Sequence, residues 1–159
     1  MTAVTRVGVG FDVHRFAADP ERPLVLGGVV LSGPGLAGHS DGDVITHAVA
    51  DALLGASGLG DLGTHFPDDD PAWAGADSLA LLRAVARLLD GDGWTVGNVD
   101  CAVVAEAPRL AAYRTEMVER LSAAAGGPVS VKPKRSEGLG ALGRREGIAC
   151  YAVALVTRR

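Results

Sequence analysis

Aromatic and sulfur-containing side chains are scarce in this chain of 159 residues, which has 3 Phe, 2 Trp, 2 Tyr, 2 Met and 2 Cys. A hydrophobic core must therefore be built from small aliphatic residues, and the hydrophobic fraction of 48% supplies them. Cys101 and Cys150 lie in separate apolar runs without CxxC spacing, which argues against a disulfide scaffold. We expect two buried, reduced thiols in a cytoplasmic protein.

Long apolar runs are also missing. No stretch approaches the roughly 18 consecutive apolar residues that indicate a transmembrane helix. Asp12 and His14 interrupt the N-terminal segment where a signal peptide needs its apolar core. A basic stripe interleaved with aromatic residues is absent, so nucleic-acid binding has little support. We therefore expect no membrane and no nucleic acid as a partner.

Charge is unevenly distributed along the chain, whose net charge is −4. Residues 1–70 contain ten acids and three arginines, whereas residues 71–159 contain nine acids and twelve basic residues. All four histidines lie in the acidic part. The first part is equipped to bind cations and the second could help to hold an anion, but composition alone favours the simpler explanation that the charges cover solvated faces.

Hydrophobic periodicity predicts a single domain over residues 1–159. The expected strands are 6–16, a short pair within 23–31, 95–105, 129–132 and 148–156, and the expected helices run from Asp41 or Asp43 to 56, from 77 to 89, and from Pro108 to Gly126. Segments 61–75 and 136–147 are expected to be loops. The natural packing is a two-layer α+β domain, one mixed β-sheet covered by about three helices.

One strand and one helix carry the polar residues best suited to a metal. Asp12 and His14 are two positions apart on a predicted strand and so point to the same face. Asp43, His47 and Asp51 are four apart on a predicted helix and share a face. Asp12, His14 and His47 would give one oxygen and two nitrogen ligands, the open pattern of a catalytic zinc site. The alternatives are a hydrogen-bonded surface pair and an exposed acidic helix face.

Four loops carry further polar candidates, each of which could also be an ordinary solvated segment. They are His39-Ser40 before the first helix, the carboxylate-rich segment 60–70, the segment 105–110 with Arg109, and Glu137 in the glycine-rich loop 136–147. Free N–H groups at a helix N-terminus favour an anion. Carboxylates suit sugar hydroxyls, and a single carboxylate close to phosphates suits a hard cation.

Four segments together point to one enzyme family. They are GVGFDVHRF, GHSDGDVITHAVADALLGASGLGDLGTHFPDDDP, NVDCAVVAEAPRL and EGLGALGRREGIACYAVALV. In order and spacing, from about Arg6 to Val156, they resemble the 2-C-methyl-D-erythritol 2,4-cyclodiphosphate synthases of isoprenoid precursor biosynthesis. The block HSDGDxxxHAxxDALLGAxxLGD is the most specific of them.

The resemblance implies a homotrimer with active sites between subunits, a zinc ion on Asp12, His14 and His47, and Mg²⁺ or Mn²⁺ on Glu137 and the substrate diphosphate. The other implied contacts are His39 and Ser40 at phosphate, Asp61, Leu62, Gly63 and Asp68 at hydroxyls, and Ala105, Pro108, Arg109, Leu110 and Ser136 around the nucleotide. His39 is counted as catalytic. Arg144 matches a position near the trimer axis, beside a cavity that takes an isoprenoid diphosphate.

The chain departs from the family pattern at several positions. Arg109 stands in place of a more usual Lys, Ala141 replaces a common Phe, and the largest change lies at residues 132–137. Where the family typically reads Lys-Ala-Thr-Thr-Thr-Glu, this chain has Lys132-Pro-Lys-Arg-Ser-Glu137. Arg135 therefore stands where the family has a threonine that contacts the transition state, and we count it as catalytic. Arginine donates to phosphate more strongly than threonine but is much larger. It is expected either to contact the nucleotide's phosphates or to turn to solvent.

The implied reaction is an intramolecular phosphoryl transfer by a phosphorus–oxygen lyase. The 2-phosphate of 4-diphosphocytidyl-2-C-methyl-D-erythritol 2-phosphate attacks its own β-phosphorus, CMP leaves, and 2-C-methyl-D-erythritol 2,4-cyclodiphosphate forms. No protein nucleophile is needed, in agreement with the lack of a Ser-His-Asp or Cys-His signature. Two alternatives stay open at this point. One is a metal-dependent phosphohydrolase that uses water, and the other is a trimeric binding module without catalysis.

Overall fold

The computed structural model describes residues 2–158. The strands are β1 (Val4–Arg15), β2 (Leu24–Leu26), β3 (Val29–Leu31), β4 (Thr95–Val104), β5 (Val129–Lys134) and β6 (Gly147–Arg158). The helices are α1 (Val44–Ser57), α2 (Leu62–His65), α3 (Ser78–Gly91), α4 (Arg114–Ala125) and α5 (Gly140–Gly143). Within the described range, no helix is long and apolar enough to cross a membrane.

A four-stranded sheet in the order β1-β6-β4-β5 forms one layer of the domain. Strands β4 and β5 run parallel, and the other neighbours are antiparallel, so the sheet is mixed. Helix α1 packs across β1, β6 and β4, α4 packs on β5, and α3 packs against α1 and α4. The predicted α+β class, with a mixed sheet and three helices longer than one turn, is confirmed.

Three details differ from the sequence-based expectation. Strands β2 and β3 form their own two-stranded sheet and do not join the main one. The third long helix begins at Arg114, after a 3₁₀ turn at Ala111–Tyr113, and not at Pro108. Proline at a helix start and proline in a loop share the same φ, so the sequence does not separate the two cases. The expected loops 61–75 and 136–147 contain the one-turn helices α2 and α5.

In β1 the large apolar residues are exposed and the glycines face inward, the reverse of what is usual in a core strand. Val7 and Val9 are 68% and 69% exposed, whereas Gly8 and Gly10 face α1. A Cβ atom at either glycine would lie well under 3.0 Å from the backbone of α1. The missing side chains therefore let the helix backbone approach the strand closely, and the next residues on that face of β1 lie beside α1.

Asp43 caps α1 and does not belong to the polar face predicted for that helix. Its fully buried carboxylate accepts hydrogen bonds from Thr46 N, at 3.0 Å, and from Gly27 N and Gly28 N, at 2.8 and 2.7 Å. Burial raises the pKa of Asp43, and the hydrogen bonds from Thr46 and Gly28 oppose that rise. The carboxylate joins the turn between β2 and β3 to the start of α1, which is a structural role.

Candidate metal centre and active site

Asp12, His14 and His47 meet where β1 crosses α1. Asp12 Oδ2 lies 2.8 Å from His14 Nε2 and 2.9 Å from His47 Nδ1. One donor atom from each residue can be chosen so that all three lie within 4.8 Å of one another. The structure thus brings together two residues from a strand and one from a helix more than thirty positions later, as the sequence predicts.

The charge on Asp12 is strongly stabilised. Burial by itself disfavours a carboxylate, but hydrogen bonds from His14 and His47, with the charges on both rings, lower the pKa of Asp12 to about 2. The same hydrogen bond to Asp12 raises the pKa of His14, and burial opposes that rise. An ionised carboxylate between two imidazoles is an arrangement that attracts a cation in place of the shared protons.

The geometry of His14 fits a metal ligand. Its Nδ1 lies 2.6 Å from the carbonyl oxygen of Ala37. Because a carbonyl can only accept, Nδ1 carries the proton and donates it to Ala37, which leaves Nε2 to face Asp12. Second-shell hydrogen bonds of this kind fix the tautomer and the ring orientation of ligating histidines. An Asp/His/His donor set with such an anchor fits a divalent transition metal with an open coordination position.

A cavity of about 440 Å³ opens directly on the three ligand residues. Its wall includes most of the residues predicted to bind phosphate and hydroxyl groups, namely His39, Ser40, Leu62, Gly63 and Asp68. Asp61 lines a smaller adjoining cavity with Asp12, His47 and Asp51. The structure therefore gathers the predicted substrate-binding residues of the first 70 positions around the metal-ligand group.

Two of these residues have partners that set their position. His39 Nε2 lies 2.9 Å from the carbonyl oxygen of Asp70, which holds the ring at the edge of the carboxylate-rich loop. Asp51 accepts a hydrogen bond from Leu62 N at 3.1 Å and so fixes the start of α2 against α1. Burial raises the pKa of Asp51, while the Leu62 hydrogen bond acts in the opposite direction.

A second cavity, of about 720 Å³, holds the residues predicted for the nucleotide end. Its lining includes Ala105, Pro108, Arg109, Leu110, Arg135 and Glu137. None of its lining residues is shared with the cavity at Asp12, His14 and His47. Within one chain, Glu137 and Arg109 therefore do not share a cavity with Asp12, His14 and His47. The resemblance predicts active sites between subunits, which would not require them to share one.

The Arg135 side chain is 61% exposed, but an ion pair with the buried carboxylate of Glu106 holds its guanidinium. Its Nη2 and Nε donate to Glu106 Oε2 at 2.8 and 3.2 Å. The other oxygen, Oε1, accepts from Ser136 N at 2.8 Å and from Ser136 Oγ at 3.0 Å. Hydrogen bonds from Arg135 and Ser136 lower the pKa of Glu106 to about 2, against the effect of burial. Glu106, whose role the sequence reading missed, thus fixes loop 135–136 beside the cavity.

The glycine-rich loop holds the remaining predicted residues. Glu137 is exposed, with φ at 56°, in the left-handed region that favours glycine. Arg144 donates from Nε to Glu146 Oε2 at 2.8 Å, and both side chains are exposed. Glu146 also lines a cavity of about 500 Å³ with Val13, His14 and Ala141.

The comparisons with known proteins identify the family. The YgbB family matches residues 5–157. The chain belongs to this family. A relative from Thermosynechococcus vestitus, named 2-C-methyl-D-erythritol 2,4-cyclodiphosphate synthase, is 54% identical over 155 residues, which cover 95% of each chain. The family, reaction and enzyme class predicted from the sequence agree with that name and are confirmed at the level of the family.

Some relatives are longer proteins. A bifunctional enzyme IspD/IspF from Anaeromyxobacter dehalogenans is 52% identical over 161 residues, which cover 99% of this chain but 41% of the relative. The chain thus spans less than half the length of that relative. A solved structure of IspF from Plasmodium falciparum, described as a CDP complex, matches with a TM-score of 0.84 at 34% identity and covers 98% of this chain and 97% of its own.

Proposed function

We propose that the protein converts 4-diphosphocytidyl-2-C-methyl-D-erythritol 2-phosphate to 2-C-methyl-D-erythritol 2,4-cyclodiphosphate and CMP. The observation that carries this proposal is the Asp12/His14/His47 group on the wall of a cavity that also contains His39, Ser40 and Asp68. A donor set for a cation, groups for phosphate and a carboxylate for hydroxyls are the three elements that this substrate requires. The two buried thiols Cys101 and Cys150, which form no disulfide, support a reducing, cytoplasmic location.

The chemistry requires neutralisation and alignment of two anionic groups. When bound, zinc at the triad and Mg²⁺ or Mn²⁺ at Glu137 would supply the positive charge that polarises the diphosphate. An oxygen of the 2-phosphate forms a bond to the β-phosphorus, and the bond from that phosphorus to the CMP oxygen breaks with its electron pair. His39 and Ser40 orient the phosphate, and Asp61, Asp68 and the Leu62-Gly63 backbone bind the hydroxyls. Well-oriented intramolecular reactions gain about 7–11 kcal/mol from positioning.

The second cavity is proposed to bind the nucleotide. Ala105, Pro108 and Leu110 form part of its wall, and its cations are Arg109, Lys134, Arg135 and Arg145. A guanidinium has five N–H donors, and the pair with Glu106 engages two of those of Arg135. The others are available to a phosphate oxygen, so Arg135 is proposed to contact the nucleotide's phosphates while Glu106 keeps it in place.

Assembly as a homotrimer would join the two cavities. One face of the main sheet is apolar and uncovered in the single chain, with Val7, Val9, Phe11, Tyr151 and Val153 all about half exposed or more. Phe11 and Tyr151 pack against each other there, with ring centroids 4.8 Å apart and ring planes tilted by 42°. A contiguous exposed apolar patch on a small domain is typical of a subunit interface. We propose that copies of the chain cover this face. The cavity at Asp12, His14 and His47 of one subunit would then meet the cavity with Arg109 and Glu137 of its neighbour. Arg144 would lie near the trimer axis, beside a site for an isoprenoid diphosphate.

The mass in solution tests this assembly. The protein is expected to run as a species of about 49 kDa, three chains of 16.2 kDa, in light scattering at micromolar concentration. Val9→Asp places a charge on the apolar face and should give a folded monomer. Val30→Asp changes an equally exposed valine, 67% exposed on β3, and should leave the mass unchanged. A monomeric parent protein would contradict the proposal.

Glu137 is expected to contribute to the binding of Mg²⁺ or Mn²⁺ and to have no effect on the binding of zinc. Glu137→Gln removes a negative charge from the nucleotide cavity and should raise the Mg²⁺ or Mn²⁺ concentration for half-maximal turnover about tenfold or more, because a hard cation prefers a charged oxygen ligand. Zinc content, measured by elemental analysis, should not change. Glu119→Gln, at an exposed position of α4, is the matched control and should behave like the parent. Equal metal requirements in both variants would exclude Glu137 as a ligand.

The products of a single incubation test the function itself. With Zn²⁺ and Mg²⁺ present, the cytidyl substrate should yield CMP and a cyclic diphosphate in equal amounts, measured by phosphorus NMR and mass spectrometry. Inorganic phosphate in place of the cyclic product would indicate a phosphohydrolase. Binding of CMP without any turnover would indicate a binding module.

A further inference from the structure

A buried hydroxyl lies behind the ligand ring of His47. Ser78, the first residue of α3, is fully buried, and its Oγ lies 2.8 Å from His47 Nε2. Ser40 Oγ also lies near this nitrogen, at 3.1 Å, but Ser40 lines the substrate cavity. The side of the ring that faces away from Asp12 is therefore in contact with a helix that supplies no metal ligand.

Ser78 is itself held on two sides by one carboxylate. Its hydroxyl donates to Asp41 Oδ1, and its backbone N–H donates to Asp41 Oδ2 at 2.9 Å. Asp41 Oδ1 also accepts from Asp43 N at 3.1 Å. A single carboxylate thus fixes the chain just before α1 and the first residue of α3. The position of the serine oxygen relative to His47 is set by both helices.

The chemistry of Asp41, Ser78 and His47 decides which atom donates the hydrogen in each of these hydrogen bonds. A carboxylate can only accept, so the one proton of the Ser78 hydroxyl is donated to Asp41. The serine oxygen then offers only lone pairs to His47, and Nε2 must carry the hydrogen of that contact. His47 Nδ1, which lies 2.9 Å from Asp12 Oδ2, is then the nitrogen that a metal ion would bind in place of the proton shared with Asp12.

We propose that Ser78, oriented by Asp41, is a positioning residue that holds His47 in the tautomer and ring orientation required for metal binding through Nδ1. The proposal rests on the proposed function, since it assumes that the triad binds a metal. It assigns a role to two residues that neither touch substrate nor ligate the metal. It also makes metal binding depend on the packing of α3 against α1.

The affinity for zinc, measured by competition with a chromogenic chelator on the full chain, tests the proposal. Ser78→Ala and Asp41→Ala are each expected to weaken zinc binding by about 10–100-fold, the usual effect of removing an outer-shell partner of a ligating histidine. Because the two residues act as one unit, the double variant should lose no more than the worse single variant. With Co²⁺ in place of zinc, the visible spectrum of the variants should shift, since it reports the geometry around the ion.

Asp77→Ala is the matched control. Asp77 is the neighbouring carboxylate and caps the same helix by accepting from Leu79 N at 3.0 Å. The hydrogen bonds of the His47 ring go to Asp12, Ser40 and Ser78 and not to Asp77. Its replacement should lower the melting temperature and leave the zinc affinity unchanged. If Asp77→Ala weakens zinc as much as Ser78→Ala does, the effect comes from a loosened α3, and the positioning role is wrong.

A measurement on the unmodified protein avoids dependence on variants that fold poorly. Nitrogen-15 NMR of the zinc-loaded protein should show a hydrogen on His47 Nε2 and a metal-bound Nδ1. The reverse assignment would overturn the proposal. The two proposals fail differently: a parent protein that binds no metal contradicts the proposed function, whereas a parent that binds zinc with Ser78→Ala of equal affinity contradicts only the role of Ser78.

Discussion

In the His47→Ala variant, turnover is expected to fall about a thousandfold or more and bound zinc to be lost, while the fold remains intact. His47 supplies one of three ligand atoms, and the remaining pair, Asp12 and His14, comes from a single strand. Lewis-acid stabilisation contributes several kcal/mol to phosphoryl transfer, and each 1.4 kcal/mol corresponds to about a factor of ten in rate. Elemental analysis, circular dichroism and a turnover assay measure the three parts of this prediction.

His65→Ala is the control for this prediction. His65 lies on the one-turn helix α2, and its Nε2 contacts the carbonyl oxygen of Leu59 at 2.7 Å, outside the metal-ligand group. The variant should keep its full zinc content. Complete retention of zinc in His47→Ala would exclude His47 as a ligand, and loss of zinc in both variants would mean that the site depends on the general stability of this region.

Gly10→Ala is expected to be the most destabilising small substitution in the chain. Alanine in a strand normally stabilises relative to glycine by about 0.5–1 kcal/mol. Here the added Cβ would lie well under 3.0 Å from the backbone of Ala48 in α1, and a helix backbone cannot rotate away as a side chain can. We expect a loss of about 3 kcal/mol in the free energy of unfolding and a melting temperature lower by about 6–12 °C.

The matched control is Gly55→Ala in α1. A Cβ at Gly55 would meet only Val9 O, at the ordinary contact distance of 3.8 Å, and alanine raises helix stability by up to about 1 kcal/mol. This variant should melt at the same temperature or higher. Calorimetry in the presence of a chelator measures the melting temperature of the metal-free protein, so a change in metal binding cannot account for the difference. If Gly10→Ala is as stable as Gly55→Ala, β1 and α1 do not pack as closely as described. Their close packing would then not explain how Asp12, His14 and His47 come together.

Local signals in the sequence predict the elements of this fold well. Of the two expected starts of α1, Asp43 is the cap, and α3 starts directly after Asp77, close to the predicted boundary. Gly58 ends α1 in a left-handed conformation. The face of β1 that turns inward was harder to predict. Alternation of Val7 and Val9 with glycine favours burial of the valines, but the structure buries the glycine face because only that face lets a helix backbone approach.

The metal-ligand group could be predicted from residue type and spacing, whereas its supports could not. Asp12 and His14 share a strand face by geometry alone. Ser78 lies 31 residues from His47 and Glu106 lies 29 residues from Arg135, and no local pattern links either pair. Their contacts follow from how α3 packs on α1 and how β4 pairs with β5, which depend on the whole fold.

A diffraction data set collected at the zinc absorption edge, from crystals grown with Zn²⁺ and CMP, shows directly whether Asp12, His14 and His47 bind zinc. We expect one anomalous peak per chain at about 2.0–2.2 Å from an Asp12 carboxylate oxygen, His14 Nε2 and His47 Nδ1, the distances usual for zinc with oxygen and nitrogen ligands. An anomalous peak on other residues, or none at this group in crystals where zinc is bound elsewhere, would contradict this expectation.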